Sequence, residues 1–285
     1  MVCVSGMRLL VLCSVTIVSA CAGNGAGLDA NGQPLGSGSA PPPPLTADFQ
    51  SIQDNVFTPI CVRCHSGAAA PQGLELDAAH SHALLVGVPS NEQSGLLRVK
   101  PGAPDGSYLV LKLEGAAGIV GAQMPFGAPA LPQATIDVVR QWITNGAPPA
   151  AVGSAAAASA ASTSFAVAAI SPRDHARLSG SPLGIVVAFS HEVDASLLNE
   201  TTLRLEIVAA DGTPSVAPSV APSVALSARL AEGNPSVVLL TPQRALDPGS
   251  YRLILRGSGG GGLADVNAQS LDVDYWSEFT VQGAP

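Results

Sequence analysis

Two low-complexity segments decide how much of this chain can fold into compact structure. Residues 21–44 are rich in Gly, Ser and Pro and end in four consecutive prolines, and residues 150–164 consist largely of Ala and Ser. Neither segment has apolar residues at helix or strand spacing, so we expect a flexible tether and a flexible linker. They leave residues 45–149 and 165–285 as two folding segments, and a chain of 285 residues suits two modest domains.

The first twenty residues have the pattern of an export signal. Arg8 precedes the apolar run LLVLCSVTIVSA, which is too short to span a bilayer as a mature helix. The run ends Val18-Ser19-Ala20-Cys21, which resembles the bacterial lipobox. That resemblance implies cleavage before Cys21 and a lipid on its sulfur. We therefore expect a membrane-anchored lipoprotein of the periplasm or cell surface, held at the outer membrane, with residues 1–20 as its signal peptide.

Charge and composition exclude one class of partner. The chain has a net charge of -8 with only 13 Lys and Arg residues, so it cannot neutralise a phosphate backbone, and we expect no nucleic acid partner. Aromatic residues make up only 4% of the chain. Either the apolar cores are small, or another group fills one of them.

The stretch CVRCHSG, residues 61–67, contains the two cysteines that remain once the signal peptide and the lipid account for the other three. A zinc site on this pair would need two further Cys or His ligands at a second spacing, and a thioredoxin-like dithiol would need a βαβ context. The chain shows neither pattern. C-x-x-C-H is the attachment signal for one covalently bound haem c, which would use Cys61 and Cys64 as thioethers and His65 as the iron ligand.

Two amphipathic helices are predicted on either side of this motif. Phe49, Ile52 and Val56 recur at helical spacing, with Thr46 or Asp48 as the cap. The second helix lies in PQATIDVVRQWITNGAP, residues 132–148. Two helices that bracket a haem site are the layout of class I cytochromes c. The apolar face of the second helix comprises Ile136, Val139, Trp142 and Ile143.

The residues between these helices also resemble those of a cytochrome c domain. GLELD (73–77), LVGVPS (85–90), LLRVKPGAPDGSYLVLKLEG (96–115) and MPFGAPAL (124–131) resemble the planctomycete-type cytochrome c domain, which would cover about 46–149. The resemblance implies a small all-α domain with one haem and with His and Met as axial ligands.

Met124 is the residue that this resemblance assigns to the sixth position of the iron, through the family's Met-Pro motif. Met124 is also the one methionine left after the signal peptide is removed, and it lies in a Pro- and Gly-rich loop. His80 and His82 are the rival ligands. Arg98 is a candidate partner for the haem propionates because a guanidinium suits carboxylates. Weaker candidates for that role are Lys100, Tyr108 and Trp142.

The segment after the linker has the pattern of an all-β domain. Short apolar runs, among them GIVVAFS, SVVLLTP and YRLILRG, alternate with turn clusters about every ten residues, which indicates an antiparallel sandwich. ISPRDHARL, IVVAFSHEVDASLL and GLADVNAQSL resemble the S-layer-type bacterial Ig-like domain over about 165–282. DVNAQSLDVD (265–274) lacks the Gly and Glu that a calcium loop requires.

These observations predict a multidomain chain, with a small all-α cytochrome c domain and an all-β Ig-like sandwich joined by low-complexity linkers. The expected function is that of an exported, lipid-anchored monohaem c-type cytochrome, which carries single electrons to and from redox partner proteins of the cell envelope. We expect an electron carrier and not an enzyme. The alternatives are a haem-containing subunit of an envelope oxidoreductase, and a cell-surface binding protein whose Ig-like domain is the working part.

Overall fold

The structure is a computed structural model that describes residues 44–67, 69–150, 164–208, 223–257 and 261–283. The predicted signal peptide and lipidation site, Cys21, lie outside the described residues. Nearly all of the predicted tether and of the predicted Ala/Ser linker lie outside them as well. Residues 45–285 cluster into one compact unit. Among the described residues, no helix is both long and apolar enough to cross a membrane.

Residues 45–150, which we call the N-terminal module, consist of short helices joined by turns. Asp48 caps the first helix by accepting a hydrogen bond from the Ser51 backbone N–H, and this helix continues directly as a π-helix that contains Pro59. Gly115, with φ of 66°, ends the third helix in a left-handed cap. The helices are α1 (Phe49–Ile52), the π-helix (Gln53–Cys61), α2 (Ser81–Leu85), α3 (Tyr108–Glu114) and α4 (Gln133–Thr144), with two short 3-10 helices at Pro71–Gly73 and Pro104–Gly106.

The prediction of a small all-α cytochrome c domain is wrong. The described chain has nine β-strands after residue 165, and the helices before that residue are short, since only α4 reaches twelve residues. Between the helices the chain forms turns and single β-bridges, such as Val86–Val99 and Leu97–Ser107. The physical reason is that apolar runs in residues 62–107 are cut by Gly and Pro before a helix can extend.

The described residues between 165 and 283 form a two-sheet β-sandwich, which we call the sandwich. One sheet has four strands in the order β1-β3-β7-β6, and the other has five in the order β2-β9-β8-β4-β5. Neighbouring strands are antiparallel, except that β2 pairs with β9 in parallel. The strands are β1 (Val167–Ser171), β2 (Ala176–Leu178), β3 (Ile185–Phe189), β4 (Leu203–Val208), β5 (Ser223–Val224), β6 (Leu226–Ala231), β7 (Asn234–Pro242), β8 (Gly249–Leu255) and β9 (Tyr275–Val281).

The core of the sandwich lies between the two sheets. Alternate residues of each strand point inward, so Val187 of β3, Leu205 of β4 and Leu253 of β8 are almost completely buried in one cluster. Two aromatic pairs close the core: Phe165 stacks on Phe189 with ring centroids 5.0 Å apart, and Tyr251 on Phe279 at 5.7 Å.

The N-terminal module has a core of its own. Trp142 of α4 is fully buried, and its indole N–H donates to the Pro148 carbonyl at 2.9 Å. Its ring centroid lies 5.4 Å from that of Phe49, which in turn lies 4.9 Å from the His82 ring. This aromatic group fixes α4 against α1 and α2, on the apolar face that the sequence predicts for α4.

The module packs against the outer face of the four-stranded sheet, and we call this contact the junction. Strand β3 is buried on both faces: its odd-numbered residues enter the sandwich core, whereas Val186 and Ala188 contact the module. Leu84 and Val88 supply the module's side of the contact. The remaining buried members of this cluster are Ala169, Ala231, Val237 and Leu239.

Candidate functional site

The CVRCHSG stretch forms one tight turn at the end of the π-helix. The backbone N–H groups of Cys64 and His65 both donate to the Cys61 carbonyl, at 3.1 and 2.9 Å. This turn places Cys61, Cys64 and His65 on one short loop.

The two thiols of this turn are free and have different surroundings. The Cys61 thiol lies against the core of the module, with its sulfur 3.6 Å from the Val56 carbonyl oxygen, whereas Cys64 is exposed. Burial, followed by the neighbouring Cys64, raises the pKa of the Cys61 thiol to about 11. At neutral pH Cys61 therefore holds its proton, and Cys64 is the accessible sulfur.

The His65 ring is oriented by a single hydrogen bond. Its Nδ1 lies 3.0 Å from the Leu74 carbonyl oxygen, and a carbonyl can only accept, so the proton is on Nδ1. Nε2 then carries the free lone pair. Burial lowers the pKa of His65, because the charged imidazolium is poorly solvated there, and the Leu74 bond only partly offsets that effect. The imidazole is thus neutral and ready to act as a ligand through Nε2.

Met124 lies in a loop that polar contacts hold in place. Its backbone N–H donates to the Lys112 carbonyl at 2.8 Å, and its side chain packs partly against the core of the module. Lys112 Nζ donates to the Val120 carbonyl at 2.7 Å, and Glu92 accepts from both Lys112 and Tyr108. The grouping of Cys61, Cys64, His65 and Met124 in one site stays a prediction.

Arg98 is a buried structural residue in this fold. Only 6% of it is exposed, and its guanidinium donates to the backbone carbonyls of Leu84 and Gln72 at 2.8 and 2.9 Å. Burial lowers its pKa to about 10. Arg98 therefore ties α2 to the turn at Gln72, and these hydrogen bonds explain why an arginine is tolerated in so buried a place. Tyr108 and Trp142 likewise bond to protein groups, Glu92 and the Pro148 carbonyl.

The rival ligands His80 and His82 have other partners. His82 is partly buried beside Phe49 and Trp142, and its Nε2 lies 3.0 Å from the Ala147 carbonyl oxygen. Burial lowers its pKa. His80 Nδ1 pairs with Asp77 at 2.6 Å.

Glu75, Asp77 and His80 form a cluster with metal-ligand chemistry, since their donor atoms lie within 4.8 Å of one another. However, Glu75 already forms an ion pair with Arg173 of the sandwich, and Arg173 Nη2 lies 3.4 Å from His80 Nε2. The guanidinium supplies the positive charge that a metal ion would bring. The cluster is therefore an ion-pair network. Sequence reasoning missed it because Arg173 is 98 residues from Glu75.

A polar cleft of about 440 Å³ lies beside this network at the junction. The loop after His65 forms one wall, and the connection between β1 and β2 with the residues after β2 forms the other. Its polar lining includes Gln72, Glu75, Asn91, Arg173 and Arg177.

No protein-family model and no curated protein matches the chain. Solved structures that share part of its shape are small copper-resistance proteins and a surface-layer protein. CopC from Methylosinus trichosporium OB3b is 18% identical with a TM-score of 0.31, and covers 42% of this chain and 96% of its own. PcoC from Escherichia coli is 18% identical with a TM-score of 0.32, and the match covers 42% of this chain and 99% of PcoC. The S-layer protein SbsC is 15% identical with a TM-score of 0.29, and the match covers 53% of this chain and 19% of SbsC. Such low scores carry no conclusion about ligands.

These findings correct the family and the cofactor that the sequence predicts. Membership of the planctomycete-type cytochrome c family is not supported, because no family model matches and the N-terminal module has only short helices joined by turns and single β-bridges. Haem c, with its iron and electron-transfer role, is withdrawn as well. No cytochrome c family model matches the chain, and Arg98, the expected propionate partner, is bonded to the backbone carbonyls of Leu84 and Gln72.

Proposed function

We propose that this chain is an exported cell-surface binding protein whose Ig-like sandwich is the working part, and that it binds its partner without catalysing a reaction. We also propose that a lipid on Cys21 holds it at the outer membrane. The tether and the lipobox-like segment support the anchor.

One observation carries the proposal: the module covers one outer sheet face and leaves the other free. Alternate residues of β3 and β7 on the four-stranded sheet are buried by Leu84 and Val88. On the five-stranded sheet, the outward residues of β8 and β9 stay partly or fully exposed. Within the described residues, this second face is a broad sheet surface that remains open to a partner.

Labelling of intact cells tests the location. An antibody against the sandwich should bind cells that produce the full chain without permeabilisation, and Cys21→Ser should move the protein into the medium or the soluble exported fraction. Cells that stain only after permeabilisation would show that the sandwich does not face outward.

A further inference from the structure

The open face of the five-stranded sheet carries one exposed aromatic residue. Trp276 of β9 is 55% exposed, although tryptophan is costly to leave in water. Its neighbours Ser277 and Phe279 follow the strand alternation, and Phe279 enters the core, so Trp276 belongs to the outward set. Ile254 of β8 lies directly opposite Trp276.

The indole ring is held in place by an arginine on the neighbouring strand. The Arg252 guanidinium carbon lies 5.3 Å from the Trp276 ring centroid, within the range of a cation–π contact. Arg252 is itself fixed, because its Nε donates to Glu278 Oε1 at 2.7 Å across the β8–β9 pair. More than half of Trp276 remains accessible, so the ring is both oriented and available.

Further polar groups continue from this ring across the sheet. On β4, Arg204 lies opposite Ile254 and Glu206 lies opposite Arg252. Arg204 Nη2 is 3.2 Å from Glu206 Oε1. The face therefore presents one flat aromatic ring, which is bordered by positively and negatively charged side chains that can donate and accept hydrogen bonds.

This chemistry suits a sugar better than a protein partner. A stable protein interface buries about 800 Å² on each side around an apolar core depleted of charged residues. Here the apolar part of the face is Trp276 with Ile254, and paired charges surround it. A sugar ring offers an apolar C–H face for stacking and hydroxyl groups that both donate and accept. Arginine and carboxylate side chains complement those hydroxyls.

We infer that this face binds a glycan of the cell envelope, with Trp276 as the stacking platform and Arg252, Glu278 and Arg204 as the groups that bond the hydroxyls. The inference rests on the proposed function and specifies its ligand class. The pairing of Arg252 with Glu278 keeps both side chains positioned before the ligand arrives, which lowers the entropy lost on binding.

The test is co-sedimentation of the purified full chain with isolated cell envelopes. One portion of the envelopes is treated with periodate, which cleaves sugar diols, and another with protease. The wild type should bind untreated and protease-treated envelopes and lose binding after periodate. Trp276→Ala should weaken binding by at least about tenfold, whereas Trp276→Tyr retains a stacking ring and should stay within about threefold.

Two controls keep the outcome interpretable. Val266→Ala removes another exposed apolar side chain, 59% exposed, and should leave binding unchanged. The chain has two tryptophans, and the fully buried Trp142 reports by its fluorescence that Trp276→Ala is folded.

The outcomes separate the ligand class from the proposed function. Envelope binding that Trp276→Ala does not change would overturn the glycan site while the surface-binding function stands. Binding abolished by protease and not by periodate would identify a protein partner and overturn the glycan class. A wild type that binds no envelope fraction would overturn both.

Discussion

Arg173 of the sandwich forms an ion pair with Glu75 of the N-terminal module, and only 3% of the Glu75 side chain is exposed. The Gly67 N–H also donates to Glu75 at 3.1 Å, and the Ser171 hydroxyl donates to the Gly73 carbonyl at 3.2 Å. The loop that follows the CVRCHSG turn is therefore bonded directly to the end of β1. These bonds, with the apolar junction, make the module and the sandwich one unit.

Removal of Arg173 should destabilise the whole unit. Arg173→Ala leaves the buried Glu75 carboxylate without its partner, a loss of about 3–5 kcal/mol in the free energy of unfolding. Arg244→Ala is the control, because the Arg244–Asp247 pair is exposed and should contribute about 0–1 kcal/mol. Urea denaturation of both variants measures the difference. Equal losses would show that the junction does not depend on this pair.

Gly87 should not tolerate a side chain, because the backbone of Glu232 in the sandwich lies against it. A Cβ at Gly87 would lie 2.3 Å from the Glu232 carbonyl oxygen, and its φ is +73°. Gly102 has a similar φ of +76° with nothing within 4 Å of such a Cβ. Gly102→Ala should therefore cost about 1–2 kcal/mol from backbone strain alone. Gly87→Ala should cost about 1–3 kcal/mol more, because the Glu232 backbone must move. Thermal unfolding of the two variants should differ accordingly, and matching midpoints would contradict the close approach of the two segments.

Protonation of His82 should weaken the module in mild acid. Its pKa is lowered by burial in the folded chain, so the unfolded chain, with a histidine pKa near 6.5, binds the proton more readily. Neutral His82 makes its full contribution to the free energy of unfolding above about pH 6.5. As the pH falls below that value, the free energy of unfolding decreases by up to about 1.4 kcal/mol per pH unit. Protonation of His65 should also lower the free energy of unfolding as the pH falls, because burial lowers its pKa too.

Unfolding free energies between pH 7 and 5 measure this effect. His82→Gln should flatten the pH dependence, whereas His175→Gln, at a side chain 75% exposed, should leave it unchanged. A slope that His82→Gln does not alter would show that His82 is not the titrating group.

The two thiols of the CVRCHSG turn should react at different rates. In chelator-treated protein, iodoacetamide should modify the exposed Cys64 first. Cys61, with a pKa of about 11, should react roughly tenfold faster for each pH unit between 7 and 10, as its thiolate fraction rises. Peptide mass spectrometry follows each site, and unfolded protein, in which Cys61 regains an ordinary pKa, is the control. Thiols that stay blocked after chelation and unfolding would contradict free cysteines at these positions.

Part of the fold could be predicted from patterns of residues that lie close together in the sequence. The run GIVVAFS contains β3, and the runs SVVLLTP and YRLILRG overlap β7 and β8, which each begin two residues earlier. The four apolar residues predicted for one face of α4 are all buried. Strand β3 also carries a signal for the junction: five consecutive apolar residues indicate burial on both faces of a sheet. The same alternation in WSEFTV places Trp276 on the outer face.

Other features depend on residues far apart in the chain. The bond between Arg173 and Glu75, and the carbonyl partners of Arg98, arise only when distant loops meet. The motif CVRCHSG sets a local turn and the residue types in it, but it does not fix the chain around that turn. The all-α prediction failed there, since α2 and α3 end after five and seven residues, close to Gly87 and at Gly115.

Envelope binding by the full chain tests most directly whether the sandwich is the working part. Wild type, Cys61→Ser/Cys64→Ser and Arg252→Ala/Trp276→Ala are compared in one co-sedimentation experiment with isolated envelopes. We predict that the double cysteine variant binds as the wild type does, and that the sandwich variant loses binding by at least about tenfold. Loss of binding in the cysteine variant, with full binding in the sandwich variant, would contradict the account and place the function in the N-terminal module.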